Sequence, residues 1–143
     1  MADEKAGTGA STDPAAESGR AVDETLDRRV IAEFRQANTP GAPDFTVMLI
    51  AEFLVEAASQ MELLRDACQR QDVRALKSAA HSLKGSSLTM GARRLGALCK
   101  EMETHASRHP GDAVTSALMT ELDREFAKVR DALEAERQGV TQV

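Results

Sequence analysis

The sequence predicts an all-α protein: an antiparallel up-down four-helix bundle with an additional N-terminal helix packed across one end. Apolar residues recur every three or four positions over several long stretches, and no stretch alternates with period two. The four Phe residues, with no Trp or Tyr, leave a core of Leu, Ala, Val and Met, which favours packed helices over a β-sandwich. Short breaks between long amphipathic helices are typical of an antiparallel bundle.

Two helices are predicted before residue 71. The first ends at TPGAPD (39–44), where Pro and Gly interrupt the helical pattern. The second runs from about Asp44 to Arg70, and nearly every residue between Phe45 and Val55 is apolar, which is more than one bundle face requires. The first helix can cover the extra side, an exposed apolar patch can dock another protein, and the two explanations are compatible. The apolar stripe of the first helix comprises Leu26, Val30, Phe34 and Ala37.

Three further helices follow, and their ends carry the expected polar and glycine signals. Asp72 is predicted to be the N-cap of the third helix, and Gly91 the C′ glycine that ends it. The HPGD segment (109–112) ends the fourth helix, and its Asp112 can cap the fifth, with Gly139 beyond the end of that helix. The three apolar stripes comprise Val73, Leu76, Ala80, Leu83, Ser87 and Met90; Leu95, Leu98, Cys99 and Met102; and Leu118, Leu122, Phe126, Val129 and Leu133.

The length and composition suggest one domain, which we place at residues 22–138. Residues 1–21 contain almost no large apolar residue, so we expect a disordered tail or, alternatively, a linker from an upstream domain. Residues 139–143 are expected to be a disordered C-terminus. The net charge of −5 argues against general binding to nucleic acid, because no basic excess is available to neutralise phosphates.

The sequence indicates a cytoplasmic protein. No apolar run is long enough to span a membrane, and the N-terminus lacks the apolar core of a secretory signal. Cys68 and Cys99 would then be reduced thiols, and we interpret them as small buried hydrophobic residues. Their spacing does not match a zinc site, and no metal site is predicted in this chain.

The third helix places His81 on an exposed face, roughly 130° from the centre of the apolar stripe at about 100° per residue. Lys77, Lys84, Gly85 and Leu88 share that face, because they lie four residues before His81 and three, four and seven residues after it. A neutral imidazole is a competent nucleophile, and the two ammonium groups suit an anionic group on its nitrogen. The pattern is therefore compatible with phosphoryl transfer, in which positioning and electrostatics supply most of the catalysis.

The alternative is that His81 is an ordinary surface residue. Gly85 weighs against it, because a glycine inside a helix costs about 1 kcal/mol relative to Ala and needs a reason of its own. His105 and His109 form an i, i+4 pair that could ligate a metal, but no Glu-x-x-His pair accompanies it. A favourable interaction with the end of the fourth helix is the preferred interpretation of that pair.

The segment AAHSLKGSSLTMGARRLGALCKEME (79–103) resembles the histidine-containing phosphotransfer (HPt) domain of two-component phosphorelays. That family carries His-x-x-Lys-Gly, then small residues, a glycine that ends the helix, and a Leu-x-x-Leu-Cys-like run with a Glu on the next helix. The resemblance extends through the bundle to roughly residues 22–137. It implies that His81 is phosphorylated, that Lys84 stabilises the charge of the phosphoryl group, and that Gly85 gives the partner access.

The same resemblance assigns further residues. Ser86 and Ser87 match the family's small residues, Gly91 matches its turn glycine, and Glu103 sits where the family often has a polar residue facing the histidine helix. The residues expected at the partner-docking surface are Lys77, Ser86, Leu88 and Glu103.

The resemblance implies a phosphocarrier rather than an enzyme. Its partners would be response-regulator receiver domains, which supply the aspartate and Mg²⁺, and a hybrid histidine kinase. This chain would bind no cofactor, and it has no G-x-x-x-x-G-K-[ST] loop for ATP. A monomer is expected, because the donor site must be exposed. Two alternatives stay open: a module excised from a larger hybrid or chemotaxis-type kinase, and a helical adaptor without phosphotransfer.

Overall fold

The computed structural model describes residues 25–142, which form five α-helices and no β-strand, so the all-α class is confirmed for this part of the chain. The predicted tail at 1–21 lies outside the described residues. The helices are α1 (Arg28–Gln36), α2 (Phe45–Arg70), α3 (Val73–Thr89), α4 (Arg93–Ala106) and α5 (Ala113–Gln142). None of these helices is long and apolar enough to cross a membrane.

Four of the five helices begin behind an aspartate, whose carboxylate accepts a hydrogen bond from an otherwise unpaired backbone N–H of the first turn. Asp72 accepts from the backbone N–H of Ala75 at 3.1 Å, and Asp112 accepts from that of Thr115 at 2.9 Å. These two predicted caps are confirmed. The other two caps are Asp27, before α1, and Asp44, before α2.

The first helix begins later than its apolar stripe suggests. Leu26 is fully buried but lies before the N-cap, so it packs without being helical. The reason is local, because the side chain of Asp27 accepts a hydrogen bond from the backbone N–H of Arg29 and thereby sets the start of α1.

The predicted end of the fifth helix is wrong, because α5 continues through Gly139 to Gln142. Glycine inside a helix costs about 1 kcal/mol but does not block the backbone hydrogen bonds as proline does. No proline follows, and Glu134, Arg137 and Gln138 are good helix formers.

The four longer helices pack in a closed circuit of neighbours. Helix α2 contacts α3 and α5, α4 contacts the same two helices, and α1 contacts α2. Most of the predicted stripe residues of α3 to α5 are buried, whereas Val73 and Phe126 are half-buried. The largest fully buried apolar side chains are Leu26, Ile50, Leu64, Leu76, Leu83, Leu95, Met102, Leu122, Val129 and Leu133.

The predicted glycine end of α3 is confirmed. Gly91 has φ +84°, and the backbone N–H of Ala92 donates to the carbonyl oxygen of Ser87 at 2.8 Å, as in a Schellman motif. The Gly91 carbonyl accepts a hydrogen bond from the backbone N–H of Asp27 at 2.7 Å. This bond and the Arg93–Asp27 ion pair, at 2.5 Å, tie the start of α1 to the α3–α4 turn.

The apolar excess of α2 is covered by α1 only in part. Phe34 of α1 packs edge-on against Phe45, with ring centroids 6.4 Å apart. Met48 remains 51% exposed and Val55 75% exposed. Helix α1 therefore covers only the beginning of the extra apolar side and leaves the remainder of it open to solvent.

Candidate functional site

Helix α3 presents His81 to solvent. Its side chain is 69% exposed, whereas Leu76, Ala80 and Leu83 on the opposite side of the helix are fully buried. The exposed placement predicted from the helical periodicity is confirmed. Because the ring stands clear of the core, a second macromolecule can reach it.

Helix α4 supplies the acidic partner of this face. One carboxylate oxygen of Glu103, Oε2, lies 3.2 Å from His81 Nδ1, and the other, Oε1, accepts a hydrogen bond from Lys84 Nζ at 3.1 Å. The structure therefore brings together three of the predicted site residues. A single carboxylate links the histidine to the lysine one turn further along α3.

The balance of burial and charge keeps Glu103 ionised. Partial burial acts to raise the pKa of Glu103, but the hydrogen bond and positive charge of Lys84, together with His81, outweigh it and hold the pKa below its usual value. Because an ionised carboxylate can only accept hydrogen bonds, the proton of the contact must lie on His81 Nδ1. In the neutral imidazole the other ring nitrogen, Nε2, then carries the free lone pair.

Gly85 leaves open space next to the ring. A Cβ atom added to Gly85 would meet no atom within 4 Å, and the residue has ordinary helical backbone angles. Neither packing within α3 nor a special backbone conformation therefore explains a glycine at this position. A groove of about 540 Å³ runs between α2 and α3 beside it.

Of the remaining predicted docking residues, one lines this groove and two lie elsewhere on the exposed surface of α3. Ser86 lines the groove, and Leu88 and Lys77 are exposed on α3. Ser87 instead faces the core: it is fully buried, and its hydroxyl has no hydrogen-bond partner among the described residues. Its small size fits close helix packing.

Gly96 on α4 is a residue that the sequence reasoning missed. A Cβ atom at Gly96 would lie 2.7 Å from Leu88 Cδ2 and 3.7 Å from the carbonyl oxygen of Lys84, so the missing side chain lets Leu88 lie across α4. An isolated glycine within a helical apolar pattern is the available sequence signal for such a close approach. Gly96 and Glu103 are two turns apart on α4, so this close contact lies beside the site.

The pair formed by His105 and His109 lies near the connection between α4 and α5. His105 Nε2 lies 2.9 Å from the carboxylate of Asp112, which is the cap of α5, so its side-chain partner belongs to the next helix. The rings of His105 and His109 lie 5.1 Å apart. Within residues 25–142 no group of three or more His, Cys, Asp or Glu side chains is arranged to hold a metal ion.

Both cysteines behave as packing residues. Cys99 is fully buried, and burial, followed by the negative charge of Glu103, raises the pKa of its thiol to about 12. Such a thiol is not a reactive nucleophile near neutral pH. Cys68 is half-buried, with its Sγ 3.9 Å from Met119 Sδ.

Comparisons with known proteins agree with this geometry. The family model described as the Hpt domain matches residues 48–137, a range that contains His81, Lys84, Gly85 and Glu103. Among solved structures, the chain is similar to histidine-containing phosphotransfer protein B (HptB) from Pseudomonas aeruginosa PAO1, with 36% sequence identity and a TM-score of 0.71. The match covers 80% of this chain and 95% of that chain. No curated protein sequence matches the chain.

Proposed function

Since the chain belongs to the Hpt domain family, we propose that it is a phosphorelay intermediate that carries a phosphoryl group on His81. The group is exchanged with the aspartates of response-regulator receiver domains. The observation that carries the proposal is an imidazole that is 69% exposed, contacts Glu103 through Nδ1, and lies one helical turn before the open space at Gly85. Hpt proteins are in general phosphocarriers rather than enzymes, and their partners are response regulators and histidine kinases.

The transfer step follows from the protonation state of the ring. The lone pair of Nε2 attacks phosphorus, an N–P bond forms, and the bond between phosphorus and the receiver's aspartyl oxygen breaks as that carboxylate leaves. The imidazole keeps its proton on Nδ1 and gains a positive charge, which the carboxylate of Glu103 stabilises at 3.2 Å. The reverse transfer follows the same path, so the direction of flow depends on the partners.

Lys84 supplies the positive charge closest to the site. Its Nζ donates a hydrogen bond to Glu103, and the side chain is 26% exposed. A rotation of this side chain can therefore bring Nζ to the oxygens of a phosphoryl group on Nε2. Charge on those oxygens is the main feature of the loose transition state. In this proposal Mg²⁺ is held by the receiver domain and no cofactor is bound by this chain.

The proposal extends to the assembly and location of the chain. The circuit of contacts between α2, α3, α4 and α5 supports an antiparallel up-down four-helix bundle. The contact of α1 with α2 and the Arg35–Glu136 ion pair, at 2.7 Å, support the placement of α1 across one end. We further propose that the protein acts as a monomer in the cytoplasm.

A panel of phosphorylated receiver domains tests the proposal. Each receiver is mixed with this protein, and the loss of label from the receiver and its appearance on the Hpt chain are followed with time. At least one receiver is expected to give an acid-labile phosphate on this chain. A helical adaptor without phosphotransfer would acquire no acid-labile phosphate from any receiver.

Replacing Lys84 with Ala is expected to slow transfer without abolishing it. The ammonium group stabilises charge but forms no bond to phosphorus, and a single charge-assisted contact of about 1.5 kcal/mol corresponds to roughly a tenfold lower rate. The measurement is the transfer rate from a saturating phosphorylated receiver, with Lys100→Ala as a control on α4. A rate equal to that of the unmodified protein would make Lys84 an ordinary surface residue.

Replacing Glu103 with Gln tests the carboxylate. We expect slower labelling of His81, because the ring charge formed with the N–P bond loses its counterion. The pKa of Glu103 lies below its usual value in the folded state, so the carboxylate adds stability above about pH 4.5 and loses that contribution as the pH falls further. The melting temperature of Glu103→Gln should therefore be lower than that of the unmodified protein at neutral pH and equal to it in acid. A difference that persists in acid would contradict this account.

A further inference from the structure

The groove between α2 and α3 has a composition that the phosphoryl chemistry does not require. Its apolar lining comes from Leu49, Phe53 and Met90, and Gly85 and Ser86 lie along its α3 side. The α2 side carries two carboxylates, Glu52 and Glu56, both exposed. The groove opens to solvent next to the face that carries His81.

Many acidic side chains in the described part of the chain form ion pairs, but these two glutamates do not. They lie four residues apart on one helix face, where like charges repel. Among the described residues neither forms an ion pair, and Glu56 has only a 3.5 Å contact with Gln60 Nε2. Acidic residues that do pair with a basic side chain include Asp27, Asp66, Glu103, Asp123, Glu125 and Glu136.

The charge on either side of Gly85 is therefore opposite in sign. On the His81 side α3 presents Lys77 and Lys84, and on the groove side α2 presents Glu52 and Glu56. A partner that brings an anionic phosphoryl group to His81 is attracted by the lysines. The same partner is repelled at the groove unless it presents a positive charge there.

We propose that the groove binds a lysine or arginine side chain of the receiver domain, and that Glu52 and Glu56 thereby help to determine which receivers exchange phosphate and in which orientation they dock. The methylene stem of such a residue fits the apolar lining, and its charged end lies between the two carboxylates. The inference rests on the proposed phosphotransfer function and adds the chemistry of the partner's surface to it.

The test compares two double variants with the same change in net charge. In Glu52→Gln/Glu56→Gln the groove is neutralised, and in Glu62→Gln/Glu121→Gln two exposed glutamates away from the groove are neutralised. The probe is a phosphorylated receiver domain that transfers to the unmodified protein, and KM and kcat are measured at low salt and at about 0.5 M salt.

We expect the groove variant to raise KM for the receiver roughly fivefold at low salt, with kcat little changed and a smaller effect at high salt. The control variant should leave KM unchanged. Phosphoramidate, a small phosphodonor that needs no docking, should label His81 in both. Equal KM values for the two double variants would overturn the proposal. Failure of phosphoramidate to label the unmodified protein would instead contradict the phosphotransfer function itself.

Charge exchange provides the reciprocal test. Each exposed Lys or Arg on the receiver is changed to Glu, and the variants that lose transfer are paired with Glu52→Lys/Glu56→Lys. One receiver variant is expected to regain transfer with this reversed groove and with no other Hpt variant. If every impaired receiver variant transfers equally poorly to the unmodified protein and to Glu52→Lys/Glu56→Lys, no basic residue of the receiver binds in the groove.

Discussion

The His81→Gln variant is expected to accept no phosphoryl group, from a receiver or from phosphoramidate, while retaining the helicity and stability of the unmodified protein. The glutamine amide cannot replace the lone pair of Nε2, so no N–P bond forms. The folded state changes little, because the side chain is 69% exposed and substitutions at such positions usually move stability by less than about 0.5 kcal/mol. The measurements are acid-labile phosphate on the purified protein and the thermal melt followed by circular dichroism.

The double variant His105→Gln/His109→Gln is the matched control for this loss. These two histidines lie at the end of α4 and contact each other and Asp112, so their removal should leave labelling intact. Phosphate that persists on His81→Gln and disappears when His105 and His109 are also replaced would contradict the assignment of His81.

The second large effect is expected at Gly85, where stability and function should move in opposite directions. Gly85→Ala adds a methyl group that meets no atom within 4 Å and recovers up to about 1 kcal/mol of helix propensity, so the protein should melt higher. Gly85→Gln should keep much of that gain, but its side chain projects over the face that carries His81. Transfer from a receiver should fall mildly for Ala and more than about tenfold for Gln, which corresponds to a loss above about 1.4 kcal/mol.

Gly139 provides the control for Gly85. It is also helical, with open space at its Cβ position, but it lies near the end of α5. Gly139→Gln should raise stability slightly and leave transfer unchanged, and phosphoramidate should label His81 in all three variants. Destabilisation by Gly85→Ala would mean that the glycine serves packing after all. Undiminished transfer by Gly85→Gln would mean that the receiver does not approach over this face.

Features with a local chemical cause were predictable from the sequence. Asp72, Asp112 and Gly91 mark helix ends through contacts within a few residues, and the exposed face of His81 follows from the period of its own helix. The prediction at Gly139 was wrong because a glycine weakens a helix but does not by itself determine where the helix ends.

Features that depend on how two helices meet were not predictable from periodicity. The bonds from Glu103 to His81 and Lys84 require a particular rotation and separation of α3 and α4, and only the family resemblance had pointed to Glu103. The close approach of Leu88 to Gly96 depends on the same two variables, and its one sequence signal is an isolated glycine within a helical apolar pattern. Whether Glu52 and Glu56 form ion pairs also depends on where the basic side chains of the other helices lie, and helical periodicity does not give those positions.

The groups that surround His81 come mainly from one helical hairpin, α3 and α4, joined by the Gly91 turn. The contact between His81 and Glu103 spans only 22 residues of sequence, and that between Lys84 and Glu103 only 19. Contacts of short sequence separation form early and quickly during folding, because little chain entropy is lost in closing them. Pulsed hydrogen exchange during refolding should therefore protect the amides of α3 and α4 before those of α5 beyond Leu133.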